Sequence, residues 1–428
     1  MYPKTMPASH RSHVCCFPGA GSKRLSNADE QIRAGPGLRK NQEFVVSGPW
    51  LFKPNVLERP GSKAARPNRK EEKMSNEPIF ETMIPRRNAR GAEVRSLLAA
   101  SGLEIEQDIE VFVVACDAGR IVACAGLAGE VVKCVAIAAP YRGSALACRL
   151  MCEVQMLAMK RGHSHLFLYT KPSNAVLFEG CGFHMLAEVK GHACLLENTP
   201  VGIRDYCDSL QPFRKTAKRI GSVVINANPF TLGHLHLVRE ARRACDWLHV
   251  FVVAENASAI AYAERLDMVR AGLAGMDRVT VHRGSRYLIS KATFPGYFIK
   301  DSCVVEACST AMDLLIFRKY IAPALGITHR FVGSEPFCRL TAKYNEDMLD
   351  WLETAAEEGA PIQVVEFPRF EVEGRAVSAS EVRRLLARGD FEAMASLVPV
   401  TTLSQLRASY PRVRPAVDCR ATELIEVM

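Results

Sequence analysis

From residue 219 onward, short apolar runs alternate with longer amphipathic segments. Strands that alternate with helices form a parallel sheet covered on both faces, and such sheets bind ligands beyond the carboxyl ends of their strands. We predict this α/β arrangement over residues 219–402. The predicted strands are Ser222–Ile225, Leu248–Ala254, Val279–His282, His329–Val332 and Ile362–Phe367. The predicted helices are Leu232–Cys245, Ala261–Gly272, Thr310–Ile321, Thr341–Ala356 and Ser380–Arg388.

The preceding part of the chain has a different order of elements. Three short apolar runs at close spacing predict an antiparallel meander, since turn residues separate them. Helices and one further strand surround the meander, so we predict a mixed α/β domain over residues 76–198, a linker at 199–218 and a tail at 403–428. The predicted strands are Val111–Cys116, Ile121–Leu127, Val131–Ile137 and His165–Tyr169, and the helices are Ala92–Ser101, Ser144–Arg161 and Asn174–Glu179.

Almost all of the net charge of +9 lies in one terminal segment. Residues 1–73 hold 14 Lys or Arg against 6 Asp or Glu, and the rest of the chain holds 41 against 40. The remainder therefore has no basic bias that favours nucleic acid. Residues 1–75 are rich in Pro, Gly, Ser and Arg, which predicts a disordered extension. Translation from Met74 and a genuine basic extension are the two alternatives.

The cysteines and the hydropathy pattern point to the cytoplasm. Fifteen cysteines are scattered without any CxxC pair, which favours free thiols in a reducing compartment over zinc or disulfide sites. We assign no metal-ligating residues. No run of 18 apolar residues and no amino-terminal apolar segment occurs, so we expect neither a membrane span nor a secretory signal.

The most informative segment follows the first predicted strand of the C-terminal domain. Asn228-Pro229 predicts a turn, and Thr231 stands where a helix N-cap is expected. Gly233 leaves the first helical turn open to a phosphate, and His234 adds an imidazole beside the exposed backbone N–H groups. A helix N-terminus with a donor of this kind is suited to a triphosphate.

This segment resembles the T/H-x-G-H signature of the nucleotidylyltransferase superfamily, which has a Rossmann-like fold. The resemblance implies that His234 stabilises charge on the phosphates without a covalent adduct, with Thr231 beside it. The run from Ala376 to Arg383 resembles the second signature of that superfamily, I-S-S-T-x-x-R. It implies that Ser378, Ser380 and Arg383 contact the phosphates from the opposite side. Ser378-x-x-Glu381 is also a plain capping box that would start any helix.

Three runs are similar to the citrate lyase ligase family: residues 226–234, 290–300 and 326–338. The similarity extends from about residue 76 to 402. It implies that ATP and acetate give acetyl-AMP and pyrophosphate, with Mg²⁺ on the triphosphate. The acetyl group then passes to the phosphopantetheine-type thiol on the acyl-carrier subunit of citrate lyase. The matching positions imply nucleotide contacts from Asn226, Asn228, Phe230, Gly233 and Arg265.

The N-terminal domain resembles the GNAT acetyltransferases. Residues 140–145 are similar to their acyl-CoA loop, Q/R-x-x-G-x-G/A, although Pro140 replaces the first residue. The resemblance implies that Arg142, Gly143 and Ala145 hold a pyrophosphate through backbone N–H groups at a strand-to-helix junction. The domain would bind the pantetheine-like arm of the carrier or keep only a packing role, and an acetyltransferase activity of its own is the third alternative.

Two departures from the family pattern leave other functions open. Ala254 stands where a lysine is expected, and Ile260 where the family tends to have an aromatic residue. Lys291 or Lys300 would be the substitute for that lysine. The alternatives to the ligase are a small-molecule adenylyltransferase and a catalytically weakened protein that binds citrate lyase.

Overall fold

The computed structural model describes residues 77–86, 88–254, 259–288, 302–335, 339–354 and 359–409. The chain divides into two units, Met1–Glu72 and Lys73–Met428, and every described residue belongs to the second. The predictions for the amino-terminal extension and for residues 410–428 of the tail lie outside the described residues, as do Lys291 and Lys300.

The N-terminal half is built on a seven-stranded sheet. Its strand order is β1-β2-β3-β4-β5-β7-β6, antiparallel except between β4 and β5. The strands are β1 Ile79–Met83, β2 Val111–Asp117, β3 Arg120–Ala128, β4 Val131–Ile137, β5 Phe167–Thr170, β6 His184–Val189 and β7 Ala193–Glu197. The helices are α1 Ala89–Ala100, α2 Leu146–Lys160, α3 Ala175–Glu179 and α4 Gly202–Leu210.

Strands β4 and β5 pair over only two residues, Val131 and Val132, opposite Phe167 and Leu168. Cys134 has a positive φ of 53°, and the β3–β4 register shifts beside it. A bulge of this kind bends a strand away from its neighbour. The two strands therefore part towards their carboxyl ends, and the sheet opens where β4 leads into α2.

The C-terminal half is built on a five-stranded parallel sheet of order β10-β9-β8-β11-β12. These strands are β8 Ile220–Ile225, β9 Trp247–Val252, β10 Val279–Arg283, β11 His329–Gly333 and β12 Gln363–Phe367, and a short hairpin follows at β13 Glu371–Val372 and β14 Arg375–Ala376. The helices are α5 Leu232–Arg243, α6 Tyr262–Gly272, α7 Ser302–Ile316, α8 Ala322–Leu325, α9 Arg339–Met348, α10 Ala379–Arg388, α11 Phe391–Met394 and α12 Val400–Ser409.

Strand β8 lies at the centre of this sheet, between β9 and β11. The chain leaves β8 towards β9 on one side and reaches β11 on the other side only after β10. The order therefore reverses at β8, which creates the crevice where doubly wound sheets bind ligands. The loop after β8 is placed at the mouth of that crevice.

A polar cluster joins the two halves. Glu197 of β7 is 1% exposed and accepts hydrogen bonds from the Tyr287 hydroxyl (2.5 Å) and the Ile203 amide (3.2 Å). His165 Nε2 lies 2.7 Å from the same carboxylate. Tyr287 follows β10 in the C-terminal half, whereas Glu197 and His165 belong to the N-terminal half. Burial and the Glu197 contact raise the pKa of the Tyr287 phenol, so it stays a donor.

One apolar core also runs through both halves. It contains Phe112 and Leu195 of the first sheet together with Phe251 and Ile316 of the second half. The Tyr320 hydroxyl donates to the Leu186 carbonyl across the same contact at 3.1 Å. The two halves are therefore packed against each other as one body.

Every predicted strand and helix within the described residues is present, and most ends shift by one to three residues. The helix predicted at Thr310–Ile321 begins eight residues earlier, at Ser302, and the last turns of the helices predicted at Thr310–Ile321 and Thr341–Ala356 are π-helical. Strands β1, β6 and β7 and the β13–β14 hairpin were missing from the prediction. The segment predicted as a linker contains the helix α4, and α12 continues past residue 402 into the predicted tail. Across the described residues, no helix combines the length and apolarity that crossing a bilayer requires.

Two buried histidines make the stability of the second sheet depend on pH. His249 of β9 and His282 of β10 lie 2.8 Å apart, Nδ1 to Nε2. Burial lowers the pKa of His282 to about 4. Burial, followed by the nearby His282 and Lys215, lowers the pKa of His249 to about 3. Both side chains are therefore neutral in the folded chain at neutral pH.

We predict that acidification destabilises the fold well above these folded-state pKa values. Below the ordinary histidine pKa of about 6.5, the unfolded chain binds protons that the folded chain does not, so stability is lost as pH falls. Each histidine is expected to cost about 1 kcal/mol between about pH 7.5 and pH 5.5. Urea unfolding should show a smaller loss in His282→Gln, and an unchanged loss in the control His184→Gln, whose histidine is exposed. Equal losses in both variants would contradict the assignment.

Candidate active site

A buried arginine fixes the end of β8. The Arg265 guanidinium, on α6, is 0% exposed and donates through Nη1 to the backbone oxygen of Asn226 (2.6 Å) and to its side-chain Oδ1 (2.7 Å). Its Nε donates to the Ile260 carbonyl at 3.3 Å. A buried cation is stable only when such acceptors surround it. Arg265 therefore lies beneath the loop after β8 and holds Asn226 in place.

Asn228 connects this loop to two distant segments. Its Oδ1 accepts from the Ile260 amide (3.3 Å), and its backbone oxygen accepts from Arg383 Nη1 of α10 (2.7 Å), 155 residues further along the chain. The Asn228–Pro229 peptide is cis. Asn228 is 1% exposed, and its Nδ2 has no hydrogen-bond partner among the described residues. This amide is an unsatisfied buried donor in the loop after β8.

Thr231 and His234 cap the first turn of α5 reciprocally. The Thr231 hydroxyl accepts from the His234 amide (3.4 Å), and the Thr231 amide donates to His234 Nδ1 (3.0 Å). Since Nδ1 accepts a backbone N–H, the proton of the neutral imidazole resides on Nε2. The capping box therefore makes His234 Nε2 a hydrogen-bond donor and fixes the orientation of the ring, which also stacks on Phe230 (5.8 Å between centroids).

The imidazole of His234 is kept neutral. Burial, with the positive charge of Arg369 as a second cause, lowers its pKa to about 4. A neutral imidazole donates one hydrogen bond from Nε2 and does not need to lose a proton near neutral pH. The side chain is thus suited to charge stabilisation on a phosphate rather than to proton transfer.

The first turn of α5 is open to an anion. The Leu232 amide donates to the Leu397 carbonyl (2.9 Å), but the Gly233 amide makes no hydrogen bond within the part of the chain that the structure describes. A Cβ on Gly233 would stand 3.5 Å from the Val377 oxygen, in ordinary contact. Hence α5 begins directly beside the second signature segment. Its free N–H lies in the first turn, at the positive end of the helix dipole.

The second signature segment, from Ala376 to Arg383, forms the side of the crevice opposite the first turn of α5. The Ser378 hydroxyl accepts from the Ser380 amide (3.2 Å) as the N-cap of α10. Arg383 Nη2 donates to the Ser380 hydroxyl (2.9 Å) while Nη1 holds the Asn228 carbonyl. Ser378 therefore caps α10, and Arg383 of the same helix contacts the loop after β8. The structure brings eight predicted site residues together around this crevice: Asn226, Asn228, Thr231, Gly233, His234, Ser378, Ser380 and Arg383. Phe230 and Arg265, both 0% exposed, lie in the interior beneath it.

Two charged residues of the crevice were missed by the sequence analysis. Arg369 follows β12, and its guanidinium pairs with Glu335, which follows β11. The Arg369 amide also donates to the Ser334 hydroxyl at 3.1 Å. The next residue, Phe370, packs its ring 5.0 Å from that of His236 on α5. The sequence does contain one indication of both residues, because each follows a predicted parallel strand. The carboxyl ends of parallel strands lie at the same edge of the sheet, where ligands bind.

Ala254, the departure from the family pattern, lies just past the end of β9 and is half-buried. Its backbone is packed against Gly284 so closely that a Cβ on Gly284 would lie 2.6 Å from the Ala254 nitrogen. The Gly284 amide donates to the Tyr262 hydroxyl at 2.9 Å. Residue 254 is therefore at the same edge of the sheet as Asn226.

The remaining predicted residues lie in the other half. Arg142, Gly143 and Ala145 occupy the exposed loop between β4 and α2, at the opening of the first sheet. Gly143 has a φ of 75°, which a glycine adopts without strain. Arg142 Nε donates to the Ile137 carbonyl at 3.0 Å, and so ties the loop to the end of β4.

No cluster of three or more His, Cys, Asp or Glu residues suited to a metal ion occurs among the described residues. The donors around the crevice are amides, an imidazole, hydroxyls and guanidinium groups. This donor set is complementary to a polyphosphate rather than to a bare cation.

The parallel sheet, the open helix N-terminus and the histidine and arginine beside it define an enzyme half of the nucleotidylyltransferase type. Residues 220–406 match the family described as Citrate lyase ligase C-terminal domain. The chain is 47% identical over 329 residues to the [Citrate [pro-3S]-lyase] ligase of Escherichia coli (strain K12), covering 77% of this chain and 94% of the relative. The chain belongs to the [citrate [pro-3S]-lyase] ligase family.

Two further similarities accompany this assignment. The [Citrate [pro-3S]-lyase] ligase of Klebsiella pneumoniae is 47% identical over 322 residues, which are 75% of this chain and 93% of that protein. A solved acyl-CoA N-acyltransferase from Pseudomonas aeruginosa is similar over 28% of this chain and 99% of its own, at 16% identity and a TM-score of 0.24. The predicted family and enzyme class are confirmed, and the α/β architecture with a parallel sheet in the C-terminal half is as predicted.

We predict that the capping box contributes measurably to stability. Thr231→Val removes the hydroxyl that caps α5 and is expected to lower the free energy of unfolding by about 1 kcal/mol. Thr231→Ser keeps the hydroxyl and is the matched control. Urea denaturation should separate the two variants, and equal stabilities would show that the hydroxyl does not cap the helix.

We predict that removal of the Arg369 charge raises the pKa of His234. Arg369→Gln removes a positive charge that disfavours the protonated imidazole. An NMR titration of the His234 ring should show the shift towards the ordinary histidine value. The control Arg375→Gln removes an exposed arginine of β14. If both variants leave the His234 pKa unchanged, the two side chains do not interact.

Proposed function

We propose that this chain activates acetate with ATP as acetyl-AMP, releases pyrophosphate, and transfers the acetyl group to the prosthetic-group thiol of the acyl-carrier subunit of citrate lyase. The observation that carries the proposal is the meeting of two distant signature segments, through the Arg383–Asn228 hydrogen bond, at the open N-terminus of α5. The family membership of the chain supports the choice of reaction.

ATP fits the donor set of the crevice. The Gly233 amide and His234 Nε2 are donors on one side, and Arg383 with Ser380 stands on the other. The unpartnered Asn228 Nδ2 is a further donor buried in the loop. We infer that the phosphates lie between these two sides, with Arg369 as an additional positive charge. Arg265 is fully buried, so its role is to position Asn226 rather than to contact the nucleotide.

In the first step, the protein positions acetate and ATP and provides positive charge around the phosphates. A carboxylate oxygen of acetate attacks the α-phosphorus, and the bond to the bridging oxygen breaks as pyrophosphate leaves. His234 Nε2 and the N-terminus of α5 stabilise the negative charge that grows on the phosphates. Because the pKa of His234 is about 4, the ring keeps this donor form throughout the neutral range.

The second step is an acyl transfer. The carrier thiol attacks the acetyl carbonyl of acetyl-AMP, a carbon–sulfur bond forms, and AMP leaves with the electrons of the broken carbon–oxygen bond. The loop of Arg142, Gly143 and Ala145, which precedes the N-terminus of α2, is our proposed contact for the phosphate of the pantetheine-type arm. Its exposure and the opening between β4 and β5 support this role.

Mg²⁺ is proposed as the counter-ion of the triphosphate. The ion would neutralise phosphate charge and keep several water ligands, as Mg²⁺ usually does at phosphate sites. The cytoplasm is the proposed compartment. Ten cysteines of the described residues are free thiols, which is typical of reducing conditions.

A small-molecule adenylyltransferase is the second candidate function. A curated Phosphopantetheine adenylyltransferase of Corynebacterium glutamicum (strain R) is 27% identical over 117 residues, 27% of this chain. This similarity covers 68% of that protein but only about a quarter of this chain. The third candidate, a weakened protein that binds citrate lyase, has Ala254 as its support.

We predict that pyrophosphate release from ATP and Mg²⁺ depends on acetate and on His234. The variant His234→Ala loses the Nε2 donor and is expected to lower the acetate-dependent rate about 100-fold or more. His236→Ala, two residues further along the same helix, is the matched control and should retain most of the rate. A coupled phosphate assay on the full chain measures both.

The other outcomes distinguish the candidate functions. Release that depends on pantetheine phosphate or nicotinate mononucleotide, and not on acetate, would indicate the small-molecule adenylyltransferase. ATP binding without release would indicate the weakened binding protein. Acetylation of the thiol on the deacetylated carrier, followed by mass spectrometry, tests the second step separately from the first.

A further inference from the structure

Three cysteines lie together on the face of the first sheet that α2 and α3 cover. Cys148 and Cys152 belong to α2 and are exposed, and Cys181 follows α3 and is partly buried. The sulfur atoms of Cys148 and Cys181 are 3.2 Å apart, although 33 residues separate them in the chain. The Cys148 sulfur also lies 3.6 Å from the Gly180 carbonyl oxygen.

We propose that Cys148 and Cys181 are a modification site, a thiol pair that forms a reversible disulfide with an oxidant of the peroxide class. A disulfide has a sulfur–sulfur distance of about 2.0 Å, so bridging requires an approach of about 1 Å. The first turn of α2 and the turn after α3 already place the two sulfurs in contact. The bridge therefore needs no refolding of either element.

The exposures of the two sulfurs assign the order of the steps. The exposed Cys148 sulfur attacks a peroxide oxygen, the oxygen–oxygen bond breaks, and water leaves to give a sulfenic acid. The Cys181 sulfur then displaces the hydroxyl group, which departs as water with the Cys181 proton. Two thiols and one hydrogen peroxide thus give one disulfide and two waters.

The environment of Cys181 suits the second of these roles. Burial first, and then the contacts with Cys148 and Cys152, raise its pKa to about 12. Cys181 therefore stays a protonated thiol near neutral pH, so the exposed Cys148 is the sulfur that meets the peroxide first. The contact between the two sulfurs then places Cys181 beside the sulfenic acid.

Other pairings are disfavoured by geometry. Cys148 and Cys152 are four residues apart on one helix, where Cβ atoms are about 5–6 Å apart, whereas disulfides require about 3.5–4.5 Å. Cys124, Cys134 and Cys194 are fully buried within the sheet. Burial also raises the pKa of each of these three thiols to about 12. They are shielded from a peroxide, and the sulfur–sulfur contact that Cys148 makes is with Cys181.

The test treats the full chain with hydrogen peroxide, alkylates the remaining thiols and identifies the peptides by mass spectrometry. We expect a cross-linked Cys148–Cys181 peptide, with loss of alkylation at both positions and recovery after dithiothreitol. The oxidised chain should also have a higher Tm, because the bridge restricts the unfolded chain. Cys181→Ser should instead accumulate the sulfenic acid of Cys148, which dimedone captures.

Cys152→Ser is the matched control and should form the same cross-link as the wild type. A Cys148–Cys152 cross-link would overturn the proposal, as would oxidation of Cys148 to the sulfinic acid with Cys181 still alkylated. Circular dichroism and the Tm of each reduced variant establish that it is folded. A folded wild type that resists peroxide at both positions would also overturn the proposal.

Discussion

The site depends first on a buried ion–dipole contact. The guanidinium of Arg265 is removed from water and is satisfied by the oxygens of Asn226 and Ile260. Because an uncompensated buried cation is far more costly than a paired one, the loop after β8 cannot shift without loss of these bonds. The position of Asn228, the start of α5 and the aim of His234 all follow from this anchor.

Above that anchor, the crevice is made of groups that keep a constant charge. A backbone amide, a neutral imidazole and two guanidinium groups surround the place where phosphates are expected. The imidazole stays neutral near neutral pH, since the pKa of His234 is about 4. The protein thus provides an environment that is already oriented before any charge develops, which is the most effective form of electrostatic stabilisation.

The alternation of apolar runs was enough to predict the C-terminal sheet, because its central strands are buried on both faces and their sequences are almost wholly apolar. Strand β1 escaped prediction for the opposite reason: it lies at an edge, and Ile79 is 68% exposed. Its sequence therefore lacks the regular order of apolar and polar residues that burial of one face would require. The signature around Thr231 and His234 predicted the cap and the ring beside it, since both depend on neighbours in the chain.

Long-range features of the site were beyond the sequence. Arg369 and Glu335 are separated by 34 residues and meet only because β11 and β12 are neighbours in the sheet. The complete burial of Arg265 was equally hidden, because arginine on a helix is usually exposed. Pairings of this kind are determined by the order of strands, which local patterns do not report.

The Glu197–Tyr287–His165 cluster and the core that crosses it have a consequence for modularity. Each half shields groups of the other half from water. Separation of the two halves would expose the Glu197 carboxylate and the apolar side chains of the shared core. Although each half has its own sheet, neither half is an independent domain that could be exchanged for another. A substitution at the junction in one half therefore has to be accommodated by the other, and the two halves have to be engineered as a single unit.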